Sequence, residues 1–302
     1  MTRAREDLRT LLAGPACTPV APIFDPLSAR IAEMVGWTAC KVAGSVGKAA
    51  SLAVPDGVPL TNMSDLVDIC RRITRVTDVS LIVDADDGGE GVLTIYRTVQ
   101  ELERAGASAI EIEDNAVPSG FGRSVSRHSL LIGKDEQIGK LKAAVAARRD
   151  SSTVIVARTS AVSELPLEEA LDRVGEYAAT GAEAIYLCGR LPNGRSDIEA
   201  VHGVADLPLY LLRLPPDVAT DPAFLQANRV TLRPLGQSVY GVAVKAIYDS
   251  LKHLRDGGSE DELKDRVASQ ELLSGVTRAR DFAAWQDAYE SSLAVIQRRS
   301  ET

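Results

Sequence analysis

The chain has 302 residues, 45% of them hydrophobic and 25% charged, a balance that suits a soluble globular protein of one large domain or two small ones. A net charge of −8 and a pI near 5.1 disfavour nucleic acid or an anionic membrane as partner, since either selects a basic surface, and favour a small ligand. No apolar run reaches the roughly 18 residues of a membrane span, and the mixed-charge start Met1-Thr2-Arg3-Ala4-Arg5-Glu6-Asp7 is a poor signal peptide. Cys17, Cys40, Cys70 and Cys188 match no metal or redox spacing and read as reduced thiols of a cytoplasmic protein.

A short amphipathic segment over 5–13 precedes a strand-like run at 19–25. Asp25 and Pro26 then supply an N-cap and a first-turn proline for a helix that Gly36 closes. A second strand covers 39–44, the turn Gly44-Ser45-Val46-Gly47 follows, and a long connection carries Pro55-Asp56-Gly57 before a helix over 63–76. The third strand begins at Val79 and runs into Asp84-Ala85-Asp86-Asp87-Gly88-Gly89-Glu90-Gly91. Its helix, 92–105, places Val92, Ile95, Val99 and Leu102 on one face. Strands at 108–114, 153–159, 184–189, 207–214 and 230–235 then alternate with helices at 134–149, 166–180, 196–205, 222–227 and 239–255.

Most of these strands are continuous apolar runs, as a parallel sheet covered on both faces requires. The pattern predicts an α/β fold, a (β/α)8 TIM-type barrel over 1–258 with its active site at the C-terminal ends of the strands. A doubly wound open sheet is the alternative. Residues 259–302 read as a helical extension of the same domain. Its stripe Phe282, Trp285, Tyr289, Leu293 and Ile296 needs a surface to cover, on its own barrel or on a second subunit.

Side chains alternate along a strand, which predicts Asp84 and Asp86 on one face at the end of strand three. Two carboxylates so close require a cation or a shared proton, and a hard divalent ion, Mg2+ or Mn2+, is the usual remedy; the other reading makes one Asp the cap of the next helix. Glu111 and Glu113 share a face of strand four, and Glu113 beside the two Asp makes a three-carboxylate cage. Arg158, ending strand five, suits a substrate carboxylate bidentately or else an ion pair with Glu113. Asp56 belongs to the site or to a Pro-Asp-Gly turn. Gly44 and Ser45 offer backbone N–H groups and a hydroxyl to an anion. Asp87 and Glu90 read as solvated or helix N-terminal acids. His128, His202 and His253 lie at no strand end, which disfavours a Ser-His-Asp triad or a zinc site.

Phe24-Asp25-Pro26-Leu27-Ser28-Ala29-Arg30, Gly44-Ser45-Val46, Val54-Pro55-Asp56, Asp84-Ala85-Asp86, Glu101-Leu102-Glu103-Arg104-Ala105-Gly106-Ala107, Ile112-Glu113-Asp114 and Ala157-Arg158-Thr159 occur in this order across nearly the whole chain. In them the sequence resembles the isocitrate lyase/phosphoenolpyruvate mutase superfamily. The resemblance implies a (β/α)8 barrel that binds Mg2+ and a 2-oxo acid, and a homodimer or homotetramer that swaps a C-terminal helix. It implies Asp84, Asp86 and Glu113 around the metal, Asp56 near it, and Ser45 and Arg158 on the substrate carboxylate.

The Lys-Lys-Cys-Gly-His loop of the superfamily's lyases is replaced here by Pro118-Ser119-Gly120-Phe121-Gly122-Arg123. Strand five ends Ala157-Arg158-Thr159-Ser160-Ala161, not in the Ala-Arg-Val-Glu-Ala of phosphonopyruvate enzymes. Both features are most similar to the oxaloacetate decarboxylase branch. That branch has a Gly-His pair where this chain has Gly236-Gln237, a Tyr on strand seven where Leu214 is expected, and Asp-His-Gly-Tyr-Gly where this chain has Asp87-Gly88-Gly89-Glu90-Gly91. The implied reaction is Mg2+-dependent C–C cleavage of a small 2-oxo dicarboxylate, oxaloacetate to pyruvate and CO2, with Gln237 in the place of the histidine. The alternatives are P–C bond chemistry on phosphonopyruvate or carboxyphosphonoenolpyruvate, or a weakened barrel that binds an oxo acid.

Overall fold

Parallel neighbours cannot be joined by a tight turn, so each strand of a parallel sheet is followed by a crossover, most simply a helix laid on the sheet. The computed structural model describes residues 2–56, 60–89, 91–115 and 131–300. In it α1 (Thr2–Ala13) leads to β1 (Thr18–Ile23), α2 (Pro26–Met34), β2 (Ala39–Val42), α3 (Gly44–Leu52), α4 (Met63–Thr74), β3 (Ser80–Asp84), α5 (Val92–Arg104) and β4 (Ala109–Glu113). There follow α6 (Lys134–Ala147), β5 (Val154–Thr159), α7 (Ala161–Glu164), α8 (Leu167–Ala178), β6 (Ala184–Leu187), α9 (Arg195–Val204) and β7 (Leu209–Leu211). The last elements are α10 (Pro216–Ala219), α11 (Pro222–Ala227), β8 (Val230–Pro234), α12 (Ser238–Arg255), α13 (Gln270–Val276) and α14 (Ala279–Ser300). The strands close into one parallel barrel in sequence order, β8 returning to β1, as the alternation predicted.

Strand alternation divides the side chains into two layers. Val83, Ile110 and Ile155 face outward into the core beneath the helices, where each fully buried aliphatic side chain contributes about 1.5–3 kcal/mol. Ile82, Ala109 and Val154 face inward and meet Leu8 and Leu12 of α1, which closes the N-terminal ends of the strands. The inward positions nearer the C-terminal ends, Lys41, Glu111, Glu113, Arg158 and Tyr186, therefore meet inside the barrel.

Three local expectations change. The Gly44-Ser45-Val46-Gly47 turn is the first turn of α3, because Val46 and Gly47 are buried and Gly47 lies against Val42 and Ile69. Strand seven shrinks from 207–214 to three residues, with a register irregularity against β8 at Leu209 and Tyr210. The extension expected to be helical opens with a 3-10 segment, Glu260–Arg266, followed by α13, for which Ser269 provides the N-cap by accepting from the Leu272 N–H at 3.1 Å. By internal contacts the chain divides into Met1–Tyr240 and Gly241–Thr302. Phe282, Trp285 and Tyr289 of α14 are exposed, while the side chains of Leu293 and Ile296 lie outside the described part. Among the described residues no helix is long and apolar enough to cross a membrane.

Candidate active site

At the C-terminal ends of the strands lies a cavity of about 580 Å³ whose wall includes Lys41, Asp84, Asp86, Glu113 and Arg158. Asp84 ends β3 and is buried, and Nη1 of Arg158 from β5 pairs with it. The Arg158 Nη2 lies 3.1 Å from Glu113 of β4, so one guanidinium bridges two strand-end carboxylates. Lys41 of β2 donates to Glu111 at 2.6 Å, lies 4.0 Å from Asp84, and sits 4.2 Å over the ring of Tyr186. Tyr186 in turn stacks on Tyr210 of β7 at 4.2 Å between centroids. Four adjacent strands thus build one charged wall around Asp84.

Asp86 reaches this wall by a different route from the one predicted. The strand stops at Asp84, and Asp86 occupies a left-handed turn conformation, φ 51°, which Asp tolerates better than most residues. Its N–H donates to Asp84 Oδ1 at 3.2 Å, and its carboxylate pairs with Lys48 of α3 at 2.5 Å. A Cβ at Gly44 would stand 2.6 Å from Asp86 Oδ1, so the approach of that carboxylate requires glycine there. The alternative in which an Asp caps the next helix is not observed: Gly91 is the N-cap of α5, with no side-chain cap hydrogen bond among the described residues. Asp87 lies 3.5 Å from Lys140 and accepts from the Gly89 N–H at 2.9 Å, while Glu90 lies outside the described residues.

Burial sets the protonation of these acids. It pushes Glu113 up to about 7, with Arg158 opposing and Asp84 adding to the rise. Burial likewise raises Asp86 and Glu111, and the charge of Asp84 adds to both. Asp84 differs: burial works against its charge too, but Arg158 and Lys41 hold its carboxyl well below the ordinary range. Among the described residues no three His, Cys, Asp or Glu side chains surround a common metal position; the chain's own cations bridge the acids instead. The donor set nonetheless fits a hard divalent ion. Asp84, Asp86 and Glu113 offer oxygen donors on one wall, and among the described residues the four acids Asp84, Asp86, Glu111 and Glu113 share three ion-pair partners, Lys41, Lys48 and Arg158.

Ser45 and Asp56 both line the cavity, as does Gln237, whose Nε2 donates to Ser45 Oγ at 2.8 Å. Sequence reasoning placed Leu214 at the mouth of strand seven. With β7 ending at Leu211, Leu212 and Arg213 hold that position, and Leu214 packs against the outer core. Tyr210 is on β7 but sits below the mouth, fully buried. Phe121-Gly122-Arg123 and His128 lie outside the described residues.

Lys41, Tyr186 and Cys188 were missed. Lys41 carried a signal, a charge inside a four-residue apolar strand. Cys188 follows β6, and its Sγ lies 3.4 Å from Glu113 Oε1; burial, with Glu113 beside it, pushes the thiol up to about 12. All four cysteines are free thiols. Behind the wall, Asp114 points outward and accepts from Thr159 Oγ1 at 2.8 Å and Tyr177 OH at 3.0 Å, tying β4 to β5 and α8.

The chain is similar to several known proteins. An oxaloacetate decarboxylase of Paraburkholderia xenovorans (strain LB400) is 38% identical over 288 residues, 95% of this chain and 94% of that protein. One of Bradyrhizobium diazoefficiens is 37% identical over 280 residues, 93% of this chain and 94% of that protein. Among solved structures, a phosphonopyruvate hydrolase in complex with oxalate and Mg2+ matches with a TM-score of 0.78 at 28% identity, over 95% of this chain and 99% of that one. The superfamily resemblance carried by the motifs holds, and residues 8–255 match the phosphoenolpyruvate phosphomutase family, to which the chain belongs.

Proposed function

We propose that the cavity binds a small 2-oxo dicarboxylate together with Mg2+, or Mn2+ in its place, and cleaves a C–C bond, decarboxylating oxaloacetate to pyruvate and CO2. The observation that carries this reading is the convergence of Asp84, Glu113 and Arg158 on one cavity wall, in a chain 38% identical to a relative named for that reaction. Asp84, Asp86 and Glu113 would hold the ion, with Asp56 near it. A divalent ion there supplies Lewis-acid stabilisation for the charge that C–C cleavage leaves on the 2-oxo oxygen.

The chain's own residues supply the rest. The Arg158 guanidinium, which bridges Asp84 and Glu113, would take the substrate's C1 carboxylate bidentately. Ser45, in the first turn of α3, would offer its N–H to the same carboxylate, while the Gly44 N–H is bonded to Asp84. Because Gln237 donates to Ser45 Oγ, the Ser45 hydroxyl keeps its own proton for the substrate. Gln237 orients this contact and moves no proton near neutral pH.

The likeness to a phosphonopyruvate hydrolase favours P–C bond cleavage as the second reading. Turnover assays with Mg2+ on oxaloacetate and on phosphonopyruvate separate the two. Oxaloacetate is expected to yield pyruvate and CO2, and Arg158→Ala to lower kcat/KM by about 10²-fold or more, roughly the 3 kcal/mol lost when a buried charge loses its partner. Turnover of phosphonopyruvate alone would replace this reading with the second.

The proposal includes a cytoplasmic homodimer or homotetramer, in which the extension 259–302 crosses to a second subunit. Val242, Ile247, Tyr248 and Leu251 on α12 and Phe282, Trp285 and Tyr289 on α14 are exposed apolar side chains that support it. Sedimentation of a chain ending at Gly258 should give a smaller particle or aggregates; an oligomer with an unchanged number of subunits would refute the exchange.

A further inference from the structure

The basic residues of the cavity wall differ in one respect. Lys41 is paired with Glu111, and Arg158 is shared between Asp84 and Glu113. Arg213 lines the same cavity, yet it makes no hydrogen bond or ion pair with any described residue. It lies two residues beyond the last residue of β7, at the end of the barrel where the acids of β3 and β4 also gather. In a closed barrel of eight strands in sequence order, β7 stands four places from β3, on the opposite wall. A ligand held by Asp84 and Arg158 through one end would therefore extend toward an unpaired guanidinium.

We infer that Arg213 is a specificity-determining residue that takes the second, distal carboxylate of a 2-oxo dicarboxylate. The inference rests on the site reading proposed above, with the 2-oxo acid end at Asp84, Asp86, Glu113 and Arg158, and adds what recognises the other end. The pairing has a kinetic signature. The distal carboxylate is charged in the bound substrate and loses that charge as it departs as CO2, so its attraction to a guanidinium is stronger in the ground state than in the transition state. Arg213 thus contributes affinity and selectivity for dicarboxylates and no acceleration of the chemical step.

The test compares the full-length wild type with Arg213→Gln and Arg213→Lys, all with Mg2+. Calorimetry is run with oxalate, which has no distal group, and with 3,3-difluorooxaloacetate, which does. Arg213→Gln should weaken the difluoro compound about tenfold or more and leave oxalate within twofold, and Arg213→Lys should recover most of the loss. On oxaloacetate, Arg213→Gln should raise KM by a similar factor with kcat unchanged or higher. The inference is overturned if both ligands weaken alike, if neither weakens, or if the wild type binds oxalate but not the longer ligand. A wild type that binds both with the Arg213 dependence above, yet does not turn over oxaloacetate, would refute the proposed reaction and leave the inference standing.

Discussion

The two ends of this barrel use the same residue types to opposite effect. At the N-terminal end, Arg5 of α1 is buried and donates to the carbonyls of Ala107 at 3.0 Å and Glu103 at 2.5 Å and to the Asp150 carboxylate at 2.5 Å. Arg9 donates to Ser151 O at 2.6 Å, Ser152 O at 3.0 Å and the Glu183 carboxylate at 2.7 Å. These contacts tie together the segments that precede β4, β5 and β6. At the C-terminal end, Arg158 instead bridges acids that outnumber their cations, and Glu111 Oε1, Arg158 Nε and Tyr210 OH are buried without a hydrogen-bond partner among the described residues. Each such orphan costs about 1–3 kcal/mol. An end whose buried charges are all paired holds the fold, while one whose buried charged groups, Glu111 and Arg158, are left under-satisfied retains binding capacity for something else.

Three experiments probe this division, beginning with the largest effect. Asp84→Ala should abolish Mg2+ binding by calorimetry and lower turnover by about 10³-fold, the scale of losing a principal electrostatic group, while circular dichroism shows an intact barrel. Unchanged Mg2+ affinity would refute the assignment. Arg5→Ala should do the reverse. Breaking a buried charge at the closed end should cost about 3 kcal/mol, lower Tm by roughly 6–12 °C, and leave kcat per folded molecule unchanged. A fall in kcat comparable with that of the Asp84 variant would erase the distinction between the ends.

The smallest effect is one of pH. Hydrogen bonds from Ser152, and then Arg5, lower the Asp150 carboxyl from 3.8 to about 2. A depressed folded-state value stabilises the fold above the unfolded value, and that contribution is lost as pH falls from near 4 toward 2. The side chain is about one-third exposed, at 33%, so solvent screening keeps the contribution small. Urea midpoints at pH 5 and pH 2.5 should therefore converge slightly in Asp150→Asn relative to the wild type; equal pH dependence in both would remove Asp150 from the closure of the barrel.

Pattern and tertiary contact contributed differently. The barrel was legible because eight apolar runs, each followed by a helical pattern, admit few topologies once crossovers must be right-handed and parallel. Asp84, Glu113 and Arg158 were legible because strand alternation puts them inside at the ends of adjacent strands. Asp86 arrived at the site for another reason, a left-handed turn and the missing side chain of Gly44, neither of which alternation describes. The pairing of Lys41 with Glu111 spans 70 residues and exists only because β2 and β4 both face the same interior. Residue order and hydrophobic period thus determined the sheet, its inward face and most of the acids. Only the closed barrel decided which cations those acids would meet, and that Arg213 would stand across the cavity from them, because charge pairing depends on distances that only the folded chain sets.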